Sequence, residues 1–303
     1  MGEAGIVVVT HESGAEIGAC LDHALRAGCQ IVVVDNASTD QTREEVTRRG
    51  VPLIANRENR GFAAAVNQGI RALDAPFLLL LNPDAILETG IGPLIECCRS
   101  PGVAGAGGKL VDADGRPQTG FAVRSLPSPL ALCFEVLLVN RLWPSNPVNW
   151  HYRCLGFDFS KASDVEQPAG AFLMIRRDVW EDLKGFDERF VPLWFEDVDF
   201  CRRAKEKGYR IRYAPEAVAK HTGSHSLVKI SLENRRFYWY RSLLGFASKH
   251  YRSSTSRMIC LAVLLGSLPR MFAEVAALRS LMPIRAYGKV IGLAGKMLFR
   301  PAE

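Results

Sequence analysis

Glu196, Asp197 and Asp199 place three carboxylates within four residues, directly after the aromatic pair Trp194 and Phe195. Acids at the start of a helical pattern complement the helix dipole, and that alone could account for them. Like charges crowded beside aromatic groups also disfavour ionisation and raise a carboxylate pKa. A raised carboxylate suits a general base that takes a proton from a hydroxyl, with Asp197 and Glu196 as the catalytic candidates. The small residues around Gly170 suit the wall of a site. Gly170, Trp194 and Phe195 are therefore the acceptor-side candidates. Asp84, in Asn82-Pro83-Asp84, could bind a divalent cation, Mg2+ or Mn2+, bridging two phosphates. A Pro-Asp turn capping the next helix is the plain structural alternative. His221 opens the polar loop that runs through His225 and is a second candidate for metal or phosphate.

Other polar groups cluster where strands should end. Thr10 and Glu12 follow the first β-branched run, and Asp35-Asn36-Ala37-Ser38-Thr39-Asp40 follows the second. Asp35 can accept from a pyrimidine N3–H or a ribose hydroxyl, with Asn36 and Ser38 beside it. Ser38 and Asp40 can equally cap a helix. In the segment from Asn59 through Gly61 and Phe62 to Gly69, small residues share one helical face. They admit either a ligand or a neighbouring element. Asn67 interrupts the apolar pattern there and is a candidate polar contact.

These groups need a scaffold that gathers them. Residues 6–9, 31–34, 51–55 and 77–81 read as strands apolar on both faces, separated by amphipathic helical patterns. That combination predicts an α/β fold with a mostly parallel central sheet flanked by helices. In such sheets ligands bind beyond the carboxyl ends of the strands. Two phosphate-binding devices fail at named positions. Thr10 to Gly14 is not the G-x-G-x-x-G of a dinucleotide site. Gly108-Lys109 is followed by Leu110 instead of the Ser or Thr of a P-loop.

The eight cysteines form no C-x-x-C pair, which fits buried thiols in a reducing, cytoplasmic setting. No secretory signal pattern is visible at the start. The longest apolar stretch, residues 258–268, reads as too short to span a bilayer, which needs about 20 residues. Charge is uneven. Residues 231–303 carry twelve Lys or Arg against three Glu, a net of +9 within a chain total of +6. Interleaved apolar residues point this tail to peripheral contact with the cytoplasmic membrane face, and away from nucleic acid. A plain helical subdomain with solvated charges would look much the same.

Asp35 to Asp40, Asn59 to Gly69, Asn82 to Asp84, Gly185-Phe186-Asp187-Glu188 and Glu196 to Asp199 resemble, in order and spacing, the family 2 glycosyltransferases, in particular their bacterial rhamnosyltransferase subgroup. The resemblance covers residues 5–250. It implies a GT-A fold over residues 1–228, followed by a helical, basic extension over 229–303. It further implies an inverting transfer from a dTDP- or UDP-sugar, dTDP-L-rhamnose foremost, to a saccharide or lipid-linked saccharide of a cell-surface polysaccharide. By similarity Asp35 matches a nucleoside-binding acid and Asp84 the metal-contacting acid of a D-x-D-type motif. Asp197 matches the catalytic base, and His221 a histidine near the donor phosphates. Asn82 departs from the motif's first acid; a neutral oxygen there weakens metal binding, although the subgroup often has it. A silent nucleotide-sugar-binding module would keep Asp35 but lose the intact Glu196-Asp197 pair. A sugar nucleotidyltransferase would open with a glycine- and basic-rich loop after strand one.

Overall fold

The computed structural model describes residues 2–223 and 230–299. The chain divides into two compact units. One comprises Met1–Leu126, Arg153–Glu188 and Glu196–Lys229; the other comprises Pro127–Tyr152, Arg189–Phe195 and Ile230–Glu303. The second unit thus takes two segments, besides the C-terminal helices, from the stretch that the sequence reading gave to one domain.

The first unit is built on a nine-stranded mixed sheet. Strands β1 (Ala4–Thr10), β2 (Gln30–Asp35), β3 (Leu53–Ala55) and β4 (Phe77–Leu81) form a parallel half in the order β3-β2-β1-β4. The strand Phe172–Arg176 then inserts antiparallel between β4 and β6 (Val103–Val111). The long strand Arg210–His221 runs parallel to β6 and antiparallel to β5 (Ala85–Leu87). The central strands are apolar throughout because both faces are covered. Ile6 and Val8 enter one core layer, and Val7 and Val9 the other. The small residues of the helix Phe62–Ala72 serve this packing: a Cβ on Gly69 would lie 2.5 Å from a Val7 methyl. The close approach admitted by that face is to the sheet.

The second unit is helical. Its long helices are Leu232–His250, Ser253–Leu278 and Met282–Leu298. Glu274 ties the three together, accepting from Arg236 at 2.6 Å and from the Tyr287 hydroxyl at 2.9 Å. Gly266 abuts the backbone of the helix Pro129–Val136 so closely that an added Cβ would sit 2.0 Å from the Val136 carbonyl oxygen. The helix Ser253–Leu278 has 26 residues and contains an 18-residue stretch of mean hydropathy 1.7, long and apolar enough by length and composition to cross a membrane. This corrects the sequence expectation, which stopped at the uninterrupted apolar run. Pro269 lies inside the helix and does not end it, so the apolar segment continues through Phe272.

Candidate active site

The parallel pairing of β1 with β2 and β4 brings three strand ends to one edge. Thr10 and Asp35 are direct register partners there. Asp35 is fully buried and its carboxylate is engaged from four sides. It accepts from the Thr10 hydroxyl at 3.1 Å, the Ser38 amide at 3.1 Å, the Ser38 hydroxyl and Arg43 Nε at 2.6 Å. Asp35 thus locks two loops that form the floor of the edge. Asn36 is used likewise, donating to the Gly61 carbonyl and accepting from Asn56. Glu12, in the left-handed region at φ 54°, accepts from the Thr39 amide, and Ser38 Oγ accepts from the Glu12 amide. Asn59, exposed, accepts from the Gly61 amide and sets the turn into the helix that begins at Phe62, which is partly exposed.

Asn67 is also held by the protein itself. It is 2% exposed, and its amide is saturated inside the protein. Its oxygen accepts from the Trp180 indole and the Phe186 amide; its nitrogen donates to the Phe186 carbonyl and to Glu188. The residue pins the helix Phe62–Ala72 to the Gly185–Glu188 turn.

Asp84 follows β4, in the turn before β5. His221 ends the strand Arg210–His221, directly opposite Ala85. This register sets His221 Nε2 3.3 Å from Asp84 Oδ1, with both side chains nearly buried. Asn82 is fixed through its backbone, donating to the Ala171 carbonyl and accepting from the Ala85 amide. Among the described residues no three His, Cys, Asp or Glu side chains gather as a metal-binding group. Asp84 and His221 nonetheless offer a carboxylate oxygen and an imidazole nitrogen close together, the kind of pair that would hold a divalent cation. Residues 224–229, including His225, lie outside the described residues.

The carboxylate cluster separates into three roles. Asp199 is fully buried and paired with Arg203 at 2.7 Å, which makes it structural. Asp197 lies in the first turn of the helix Glu196–Glu206. Its Oδ2 accepts from the Gly170 amide at 3.1 Å and from Gln167 Nε2 at 3.0 Å. A Cβ on Gly170 would come within 3.2 Å of the Asp197 Cβ, so glycine permits this approach. Burial raises the Asp197 pKa, while the amides of Gly170 and Val198 and the charge of Arg124 restrain it. Glu196 is raised well above its ordinary value, chiefly by burial and then by the charges of Asp197 and Asp199. Its Oε2 is buried without a partner among the described residues. Crowding is thus the lesser cause at Glu196, and burial leads at both. Phe195 is buried against Phe246 within the second unit, with ring centroids 5.4 Å apart, and so packs as core. Trp194 is partly exposed and holds a left-handed φ of 74°, a costly conformation for a bulky residue.

The Glu196 shift has a stability consequence. Its native pKa lies above the unfolded value of about 4.3, so its contribution is full below that pH and is lost as pH rises through the native pKa. Glu196→Gln should therefore raise the melting temperature at pH 8 and leave it nearly unchanged at pH 4. Each kcal/mol would appear as about 2 °C or more. Thermal melts at the two pH values check this, and an equal shift at both would contradict it.

Sequence reasoning missed Gln118, Phe121, Arg124 and Gln167. Phe121 stacks on the His221 ring with centroids 5.4 Å apart and planes within 5°, and Arg124 lies over Phe121. Nothing in the local sequence singles these residues out. Their proximity comes from the turn after β6 and from the two-stranded ribbon that pairs Val123–Arg124 with Gln167–Pro168.

A mixed sheet of this order, with polar groups at its carboxyl edge and a carboxylate at a helix start, is that of a GT-A glycosyltransferase. Two solved structures share the fold. The mannosyltransferase PcManGT from Pyrobaculum calidifontis, in complex with GDP-Man and Mn2+, superposes with a TM-score of 0.56 at 18% identity, covering 98% of this chain and 87% of that one. S. aureus TarS in complex with UDP-GlcNAc gives 0.55 at 16% identity, covering 98% and 82%. The chain belongs to glycosyl transferase family 2, whose model matches residues 5–183; the model for glycosyl transferase family group 2 matches residues 145–294. The N-acetylglucosaminyl-diphospho-decaprenol L-rhamnosyltransferase of Mycobacterium tuberculosis is 30% identical over 239 residues, 73% of this chain and 76% of that protein.

Proposed function

We propose that this glycosyltransferase inverts the anomeric carbon as it transfers a 6-deoxyhexose, L-rhamnose, from a dTDP donor to a lipid-linked saccharide. The observation that carries this reading is Asp197. It is a carboxylate of raised pKa at the start of the helix Glu196–Glu206, held in place by the Gly170 amide and Gln167. Asp197 takes the proton from the acceptor hydroxyl as that oxygen attacks opposite the leaving diphosphate. The path is a single displacement and needs no carboxylate nucleophile. Asp84 and His221 are the residues that would hold a divalent cation. When bound, such a cation supplies charge neutralisation to the departing diphosphate. The sugar is proposed from the M. tuberculosis relative, named for L-rhamnosyl transfer to a diphospho-decaprenol acceptor. A donor screen by nucleotide release, with and without Mn2+, tests it. dTDP-L-rhamnose should give the fastest release with a prenyl-diphosphate-linked sugar as acceptor. Release favouring a UDP-hexose would overturn the donor assignment.

The same reading places the protein peripherally on the cytoplasmic membrane face, where a lipid-linked acceptor resides. Met258, Leu261, Leu265, Leu268 and Phe272 are exposed and spaced alternately three and four residues apart, so they form one stripe along the helix Ser253–Leu278. The opposite side, including Ile259, Val263 and Gly266, is buried within the second unit. A helix committed on one side and apolar on the other suits lying in the interface, with the basic residues of the tail meeting anionic headgroups. Phe272→Glu should weaken sedimentation with phosphatidylglycerol vesicles about tenfold or more, since burying such a side chain stabilises by about 2 kcal/mol. Unchanged sedimentation would reject the stripe as the contact.

A further inference from the structure

We infer that Gln118 is a positioning residue that turns the lone pair of His221 Nε2 towards Asp84, and so keeps the pair open to a divalent cation. This rests on the metal role of Asp84 and His221 proposed above. Gln118 arrives at the site because the chain folds back directly after β6. Val111 bridges to Pro117, and the Gln118 amide donates to the Leu110 carbonyl. The parallel pairing of β6 with the strand Arg210–His221 sets Val111 beside Lys220, which brings the turn alongside His221.

The hydrogen bonds fix both groups. Gln118 Nε2 lies 2.6 Å from the His221 backbone carbonyl, which can only accept, so this end of the amide must be the nitrogen. The Gln118 oxygen then lies 3.1 Å from His221 Nδ1 and must receive a proton from it. In the neutral ring, the form that can take a cation, a proton on Nδ1 leaves a bare lone pair at Nε2. That lone pair points at Asp84 Oδ1, 3.3 Å away. Two lone pairs aimed at one point repel each other and attract a cation. Without Gln118 the other tautomer would form an Nε2–H to Asp84 hydrogen bond, and the pair would satisfy itself. Phe121, stacked on the ring, holds its plane in place.

The test compares wild type with Gln118→Met, which keeps the volume and removes both hydrogen bonds, and with Gln118→Glu, which keeps an acceptor for Nδ1–H. Imidazole 15N spectra of histidine-labelled protein read the tautomer directly, and titration with Mn2+ alone, followed by electron paramagnetic resonance, reads affinity. Wild type should show His221 protonated at Nδ1. Gln118→Met should move the proton to Nε2 and weaken Mn2+ binding roughly 10- to 100-fold, the usual cost of losing a group that orients a metal-bound imidazole. Gln118→Glu should keep the Nδ1–H form. An Nδ1–H signal that persists in Gln118→Met would overturn the proposal, as would unchanged Mn2+ affinity. Should Gln118→Met fail to fold, Gln118→Asn, too short to reach Nδ1, takes its place with the same expected results. Wild type that shows the Nδ1–H form and binds no Mn2+ would instead overturn the metal reading of Asp84 and His221, and with it the purpose assigned to Gln118.

Discussion

Asp197→Asn is expected to lower kcat by about 10^2- to 10^4-fold, the range that general-base catalysis contributes, with donor affinity and melting temperature nearly unchanged. The substitution is close to isosteric. The Asn oxygen can take the place of Oδ2 and keep both donors, the Gly170 amide and Gln167. What it loses is the ability to accept a proton, together with the local bond that Oδ1 accepts from the Val198 amide. Asp199→Asn supplies the contrast. Asp199 is fully buried and paired with Arg203, which also donates to the Leu183 and Gly185 carbonyls. Removing its charge leaves a guanidinium short of a partner and should lower stability first. Single-turnover transfer and thermal melts of the two variants separate the roles. Near-normal transfer by a folded Asp197→Asn would show that another group takes the proton.

The parallel half of the fold was legible because its strands are buried on both faces. Runs such as Ile6–Val9 and Leu78–Leu81 have no polar side to blur the pattern. The antiparallel insertion of Phe172–Arg176 between β4 and β6 was not legible, since a short apolar run says nothing of its neighbours. The carboxyl edge was legible as a location, and less so in its roles. Asp35 and Asn67 are residue types that could meet a ligand, and the scaffold partners they hold were not visible in the sequence. The Asp35 partner Arg43 lies eight residues along, on the next helix, and the partners of Asn67 lie 113 to 121 residues away. Gln118 and Gln167 were invisible for the same reason. Each is an ordinary polar residue in a loop, and its importance comes from register: one beside His221, the other beside Asp197. The long helix Ser253–Leu278 was misjudged because the apolar run was ended at Pro269 and Arg270, whereas the helix carries both in its interior.

Asp84→Ala should have the other large effect, a loss of roughly 10^3-fold in transfer, because a cation neutralising a leaving diphosphate is worth several kcal/mol. The size follows from the smallness of the donor set. With Asn82 in place of a first acid and no third acidic, thiol or imidazole ligand among the described residues, Asp84 is the anionic side chain at that point. Its removal leaves a single imidazole nitrogen, which holds Mn2+ or Mg2+ poorly. Asp84→Asn, which restores an oxygen without the charge, should fall between wild type and Asp84→Ala. His221→Ala should lose less than Asp84→Ala and should lose more with Mn2+ than with Mg2+, since Mg2+ keeps its waters and gains little from a nitrogen ligand. Rates with each metal, after chelation and readdition, give the comparison. Equal rates for wild type before and after chelation would assign charge neutralisation to protein cations instead. Asp84 would then be left with the fold role its backbone carbonyl already plays, accepting from the Thr222 amide and hydroxyl.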